Sequence, residues 1–318
     1  MKPFNVLLTC ASNKTNIIDW IRKSVSKFDC KVKVFAGDSN SQAVTRYFCD
    51  IFWHMPKTKK SNFKKILKYC LANNIKIIIP SSDQELYFWS TFCDTLKKNK
   101  IYVMVSSKDA VNICLNKLNF YKKLYQLNST IFTSNKLNDF KKNQKLVAKK
   151  RIGSGSKNIY INKSRKELQN HNLNKQDYIY QKFVKKGREV SIDCFFSTKD
   201  NKLINLVPRY RDTINRGESS LTSVINKKKF IPYIDKIALK INFFGHVMFQ
   251  GFISNKKLLI FECNPRIGGA SFISYYNSMD SIYYFIFENL LPKKKLRIKT
   301  SILPGSKLIT YKKTKFLR

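Results

Sequence analysis

Strand-like and helix-like stretches take turns over the first hundred residues, and that alternation leaves few folds open to the chain. Residues 4–10 read as a strand and Asn16 to Phe28 as an amphipathic helix. Lys31-Val32-Lys33-Val34-Phe35-Ala36 repeats the strand pattern, stops at Gly37-Asp38 and is followed by an expected helix around 41–49. Lys60 to Ala72 reads as a helix, Ile75 to Pro80 as a buried strand, Asp83 to Lys97 as a helix and Ile101 to Val105 as a strand. This order specifies a parallel sheet covered by helices on both faces. Polar residues gather where the strands end, at Ser12-Asn13, Asp38 and Ser81-Ser82-Asp83. In open parallel sheets that edge takes the ligand. No Gly-x-Gly-x-x-Gly follows the first strand, so the dinucleotide fingerprint is missing and a dehydrogenase is a poor candidate.

A chain of 318 residues is too long for one small core, so two or three subdomains are expected. No apolar run approaches the length that spans a bilayer, and the first residues lack the apolar core and cleavage site of a signal peptide. A cytoplasmic protein is expected. The eight cysteines form no Cys-x-x-Cys pair and the three histidines are scattered, which argues for reduced, buried thiols and against a zinc site. A formal charge of +41 would ordinarily suggest nucleic acid or an anionic membrane surface. Here 50 of the 61 basic residues are lysines, spread along the whole length and accompanied by many Asn and Ile, a pattern that AT-rich codons produce. The expectation is a general attraction for anionic small molecules, ATP included, with no nucleic acid and no membrane as partner.

The most informative stretch is Phe261-Glu262-Cys263-Asn264-Pro265-Arg266-Ile267-Gly268-Gly269-Ala270-Ser271. Leu258 to Phe261 is strand-like, and Pro265 with the Gly268-Gly269 pair ends it. Glu262 and Asn264 are two apart and so share a strand face. A carboxylate and an amide oxygen side by side are ligands of the kind Mg²⁺ takes, and Arg266 adds a fork donor suited to phosphate. The plain alternative is a solvated polar strand end. Gly245 to Ile253 precedes as a strand, and the two are expected to form a hairpin around Asn255-Lys256-Lys257. A three-residue loop pairs Ser254 with Leu258, Phe252 with Ile260, Gln250 with Glu262 and Met248 with Asn264. That register puts Gln250, Glu262 and Asn264 on one face, where a two-residue turn would throw Gln250 to the other.

Upstream, Lys145 to Lys149 is a strand, Arg151-Ile152-Gly153-Ser154-Gly155-Ser156-Lys157 a small-residue loop, and Asn158 to Ile161 a returning strand. Glycines let backbone N–H groups wrap phosphate oxygens, hydroxyls add donors, and a lysine at the loop base adds charge. A strand follows instead of a helix, so this is not a Walker loop, and an ordinary hairpin turn is the alternative. Asn116 to Leu127 reads as a helix carrying Lys117, and a short strand is expected near Thr130 to Thr133. Tyr178 to Val184 is a strand whose outgoing backbone suits an adenine edge. Arg188 to Phe196 alternates, with Val190, Ile192 and Cys194 on one side and Glu189, Ser191 and Asp193 on the other. Arg209 and Arg211 share a face of the strand that begins at Leu203, as a phosphate clamp would need. Residues 212–224 read as a long mobile loop, and Phe230 to Asn242 as a helix.

Taken together, Lys149, the Gly153–Ser156 loop, Gln181-Lys182-Phe183-Val184, Glu189, Arg209-Tyr210-Arg211, Gln250 and Glu262-Cys263-Asn264-Pro265-Arg266 resemble the ATP-grasp superfamily. The likeness is nearest to proteins like the carbamoyl-phosphate-synthase large chain and to other carboxylate–amine ligases. Ile79 to Leu86 is similar to a loop in the Rossmann-like domain that precedes the grasp in such enzymes. The resemblance implies an α/β and α+β chain. A Rossmann-like domain would occupy 1–112, a small subdomain with the phosphate flap 113–184, a larger subdomain with the metal site 185–292, and a basic tail 293–318, read either as a final strand pair or as a loose basic arm. It implies that Lys149 holds the α and β phosphates under a flap of Gly153, Ser154, Gly155 and Ser156, and that Lys117 is a first basic position contacting the nucleotide. Gln181, Lys182, Phe183 and Val184 would frame adenine, the last two through their backbone, and Glu189 would take the ribose. Gln250, Glu262 and Asn264 would hold Mg²⁺ or Mn²⁺, and Arg209, Arg211 and Arg266 would neutralise the transferring phosphoryl group. The implied reaction activates a small-molecule carboxylate as an acyl phosphate at the expense of ATP and passes it to an amine. A nucleotide-binding module without catalysis is the alternative, and a homodimer is the default expectation for such a protein. Lys150, Asn158 and Cys10-Ala11-Ser12-Asn13 depart from the usual residues of the family at their positions, so the substrates stay open.

Overall fold

The computed structural model describes every residue except Ser154, Ser156, Lys157, Arg216, Lys312, Lys313, Lys315, Leu317 and Arg318. The first sheet draws on β1 (Phe4–Thr9), α1 (Thr15–Val25), β2 (Val32–Asp38), β3 (Ile51–His54), α2 (Phe63–Ala72), β4 (Ile75–Pro80), α3 (Asp83–Lys98) and β5 (Tyr102–Val103). Its strands run parallel in the order β3-β2-β1-β4-β5. Neighbouring residues of one strand feed different cores: Val6 and Leu8 pack with Trp20 of α1, while Leu7 packs with Trp89 of α3. Burial on both faces is what the near-continuous apolar strands require. The helix expected around 41–49 is only a 3-10 turn at Val44–Tyr47, and β3 follows it as an edge strand unforeseen in the sequence. Four residues are too few to display a period.

The expected helix from Asn116 to Leu127 is α5 (Lys117–Leu124) closed by a 3-10 turn, and α4 (Lys108–Leu115) stands directly before it. Asn116 makes the break. Its backbone is extended and its Oδ1 accepts from the Leu118 and Asn119 amides, so it caps α5. A second sheet combines β6 (Thr133–Ser134), β7 (Leu146–Lys150), β8 (Tyr160–Lys163) and β9 (Tyr178–Lys182), antiparallel in the order β6-β9-β7-β8, with α6 (Arg165–Asn170) between β8 and β9. The strand foreseen at Thr130 to Thr133 is thus shorter and later, and Thr130 forms an isolated bridge to Ile260 instead.

The third sheet holds β10 (Arg188–Phe196), β11 (Leu203–Asn215), β12 (Glu218–Val224), β13 (Gly245–Ser254), β14 (Lys257–Asn264) and β15 (Lys307–Ile309) in the order β14-β13-β10-β11-β12-β15. Helices α7 (Ile231–Ala238), α8 (Ile273–Tyr276) and α9 (Ser281–Leu290) lie between these strands in sequence. Two expectations are corrected here. Residues 212–224 are not a loop: β11 and β12 extend through them as a hairpin. The segment 293–318 is more than a basic tail, because β15 pairs with β12, and Leu296, Ile298 and Ile302 pack on the first core.

The β13–β14 hairpin corrects a third. Its turn is two residues, Asn255 and Lys256, both left-handed (φ 47° and 62°), and Ser254 pairs with Lys257. Taken alone that turn would put Gln250 on the wrong face. A bulge at Phe261 then inserts one residue, so pairing shifts from Gly251–Ile260 to Gln250–Glu262 and continues to Met248–Asn264. A Cβ on Gly251 would lie 2.7 Å from the Leu259 carbonyl oxygen, which is why the strand can close up beside the bulge only with glycine there. The loop length differs from expectation and the pairing at the site end does not.

Candidate active site

A cavity of about 850 Å³ opens where the second and third sheets face each other, with the first sheet's Asp83 at its rim. On its floor, Gln250 of β13 and Glu262 and Asn264 of β14 share one face, as residues opposite each other in antiparallel strands must. From the opposing wall Lys117 reaches to 3.7 Å and Lys149 to 3.8 Å from the two Glu262 oxygens. Both lysines are 6% exposed. Lys117 Nζ also donates to the Gly153 carbonyl at 2.7 Å, which ties the start of α5 to the glycine loop. Lys149 Nζ stands 4.4 Å from the centre of the Phe261 ring, the residue of the bulge. Burial lowers the Lys149 ammonium to about 8, with Glu262 opposing the shift and Lys117 adding to it.

Gly153 and Gly155, both with positive φ, line the mouth, while Ser154 and Ser156 lie outside the described residues. Gln181, Lys182, Phe183 and Val184 line the cavity at the end of β9. Gln181 donates to Thr133 Oγ1 at 2.8 Å. The Phe183 amide donates to the Lys145 carbonyl at 2.9 Å, so that N–H is committed within the sheet and is not offered to a base edge.

Each arginine singled out in the sequence reaches the cavity, and each meets a carboxylate there. Arg211 pairs with Glu189 and donates to Ser219 Oγ at 3.0 Å and to the Gly217 carbonyl at 2.6 Å, so it holds the β11–β12 tip. Arg266 is gripped in bidentate fashion by Asp83, Nε to Oδ1 at 2.7 Å and Nη2 to Oδ2 at 2.8 Å. Asp83 opens α3 behind a loop that is pinned by Glu85, whose Oε1 accepts from the amides of Ser81 and Ser82. The Arg266 bond therefore joins the first sheet's ligand edge to the strand that carries Glu262.

Arg209 is 2% exposed, and its Nε donates to Asp193 Oδ2 at 2.8 Å. Asp193 is fully buried and also receives Ser271 Oγ and, at 3.3 Å, His246 Nε2. Burial works against its charge, but Arg209, His246 and Ser271 together hold the carboxyl well below the usual carboxylate range. Sequence reading placed Asp193 on the polar face but missed its partners. His246 and Ser271 lie 53 and 78 residues away, so no spacing could reveal them.

The donor set suits a divalent ion of the magnesium type. A carboxylate and two side-chain amides, all offering oxygen, sit on one face, and two cations neutralise the carboxylate in the protein as it stands. Among the described residues no group of three or more His, Cys, Asp and Glu could hold a metal.

Lys117, Lys149, Gly153 and Gly155 thus line the same cleft as the oxygen-bearing strand end of Glu262 and Asn264. Comparison with known families agrees. Residues 114–270 match the ATP-grasp domain, and residues 6–105 match the PylC-like N-terminal domain. The chain belongs to the ATP-grasp superfamily. Among solved structures, the biotin carboxylase domain of 2-oxoglutarate carboxylase from Hydrogenobacter thermophilus, solved with MgADP, ADP and bicarbonate, superposes with a TM-score of 0.72. It is 13% identical, and the match covers 96% of this chain and 73% of that one. Biotin carboxylase from Campylobacter jejuni gives a TM-score of 0.71 at 14% identity, covering 95% of this chain and 74% of that one. N5-carboxyaminoimidazole synthetase from Staphylococcus aureus gives 0.66 at 17% identity, covering 96% and 80%. No curated protein sequence matches. At these identities the likeness establishes the fold. Among the described residues no helix is long and apolar enough to cross a membrane.

Proposed function

We propose that this protein is an ATP-dependent carboxylate–amine ligase. The observation that supports the reading best is Glu262. It shares a face with Asn264 and Gln250 and draws two buried lysines from the opposite wall to within 4 Å. A triphosphate entering the cleft would take over both lysines and leave Glu262 and Asn264 to a divalent ion. Mg²⁺ held there would supply charge cancellation between the phosphate oxygens as the terminal bond breaks. One neighbour of the same fold was solved with MgADP, in line with ATP and Mg²⁺ as the nucleotide and metal here. Gln181, the Phe183 carbonyl and the Val184 amide would frame the base, and Glu189 the ribose. Lys182 would stand at the same cleft wall.

Phosphoryl transfer to a carboxylate asks the protein for positioning and charge neutralisation more than for covalent help. Arg209, Arg211 and Arg266, each fixed by its own carboxylate, would present guanidinium groups to the transferring phosphoryl and the acyl phosphate at little further entropic cost. The acyl phosphate needs a site closed to water, and Gly153 and Gly155 after β7 and Gly217 between β11 and β12 line the cleft. The units 1–112, 113–184 and 185–292 are proposed as the domains that hinge about it. Phosphate release with Mg·ATP over a panel of carboxylates and amines tests the reading. Tight Mg·ATP binding with no carboxylate-dependent phosphate release would sink the ligase assignment and favour a non-catalytic nucleotide-binding module.

Two further outcomes are expected. A phosphate needs the ammonium form of Lys149, whose ordinary range is lowered to about 8. Above that pH the free site loses a proton that binding must restore. Mg·ATP affinity is therefore expected to hold from pH 6.5 to 7.5 and to fall by up to about tenfold per unit above pH 8. Calorimetric titrations from pH 6.5 to 9.5 check this, and Lys149→Met should bind weakly with a flat profile. Asp83→Asn should release Arg266 from its bidentate clasp. Turnover is expected to fall about tenfold to a hundredfold while Mg·ATP affinity changes less than threefold, as steady-state kinetics beside a binding titration would measure.

A further inference from the structure

Ser191 is 1% exposed and lines the cavity, yet its hydroxyl has no hydrogen-bond partner among the described residues. A buried hydroxyl left unmatched keeps the cost of its lost hydration, so a group that can meet it should bind there. The sheet register says what surrounds it. Ser191 pairs with Gln250 on one side and with Arg209 on the other, and Gln250 pairs with Glu262. Glu262, Gln250, Ser191 and Arg209 thus form one row across four strands, all facing the cavity, with neighbours about 5 Å apart.

Arg209 is also incompletely matched. Its Nε has Asp193 at 2.8 Å and its Nη1 has Thr222 Oγ1 at 3.3 Å, but its Nη2 meets the Met248 thioether sulfur at 3.4 Å, a weak acceptor. A hydroxyl and a guanidinium N–H, adjacent in the row and both short of a strong acceptor, suit a ligand oxygen bearing negative charge. The Glu262 carboxylate lies at the other end of the same row with Gln250 between, so that oxygen sits beyond Gln250 from the carboxylate.

We infer that Ser191 Oγ and Arg209 Nη2 form an oxyanion subsite for the phosphoryl group once it has left the nucleotide. Ser191 is a binding residue here, donating to a phosphoryl oxygen. This deepens the ligase reading and rests on it.

Calorimetric titration of the full chain with Mg·ADP, and with Mg·ADP plus aluminium fluoride as the phosphoryl mimic, separates the two. For Ser191→Ala, Mg·ADP affinity should stay within about twofold of wild type. Affinity for the fluoride complex should fall about tenfold to a hundredfold, the range of a hydrogen bond to a charged group. The melting temperature without nucleotide should be unchanged or higher, because the substitution removes an unmatched hydroxyl. Equal affinity of variant and wild type for the fluoride complex would overturn the role of Ser191 and leave the ligase reading standing. So would a parallel loss of Mg·ADP and fluoride-complex binding with a lower melting temperature, which is the mark of a structural residue. A wild-type chain that does not bind Mg·ADP would overturn both.

Discussion

Glu262→Gln is expected to lower ATP-dependent turnover about a thousandfold or more, with a smaller effect on folding. The substitution keeps size and an oxygen donor but removes the carboxylate charge that lies within 4 Å of both Lys117 and Lys149. Metal-assisted charge cancellation and oriented electrostatics in a water-poor cleft each supply several kcal/mol to reactions of this kind, and both start from this carboxylate. Two ammonium groups near a neutral amide would also hold phosphate without the divalent ion. The variant should therefore bind ATP with weaker dependence on Mg²⁺. Phosphate release and ATP titrations at several Mg²⁺ concentrations measure both halves. Turnover within tenfold of wild type would remove Glu262 from the metal site.

Asp193→Ala is expected to cost about 3–5 kcal/mol of stability and to abolish turnover. Asp193 and Arg209 are 0% and 2% exposed at the side chain, and removing one partner leaves the other as a buried, uncompensated charge. Arg209 would also lose the contact that aims it along the floor. The sign with pH follows from the lowered carboxyl. Its contribution is fully present above the ordinary carboxylate range near pH 4 and is lost as the pH falls toward the lower folded value. Wild-type protein should lose stability between about pH 4 and pH 2, and Asp193→Asn should show a shallower acid slope. Denaturant melts at pH 7, 4 and 3 give both quantities. A loss below 1 kcal/mol at pH 7 would mean that the pair is dispensable.

The site was legible in the sequence to different depths. Glu262 and Asn264 are two apart on one strand, so their shared face followed from backbone geometry. Gln250 joined them through an argument that failed in its detail. The expected three-residue loop is a two-residue turn, and a bulge at Phe261 restores the same pairing. Turn residues and bulges both act as register shifts of one, and a sequence does not say which combination occurs. The arginines were legible as cavity cations, but their carboxylate partners were not. Asp193 and Glu189 sit on a neighbouring strand, and Asp83 is 183 residues from Arg266.

What the sequence determined by itself is local. Apolar runs broken by polar turns set the parallel first sheet, small residues between β7 and β8 set the glycine loop, and alternation set which side of each strand faces the cavity. These follow from side-chain period and backbone sterics, which act over a few residues. Tertiary structure alone decided that Lys117 of α5 and Lys149 of β7 converge on Glu262, that every cavity arginine carries a counter-charge, and that the Ser191 hydroxyl has no hydrogen-bond partner among the described residues. Those facts depend on the pairing of strands far apart in the chain and on exclusion of water from the space between them, and neither is written in any short stretch of residues.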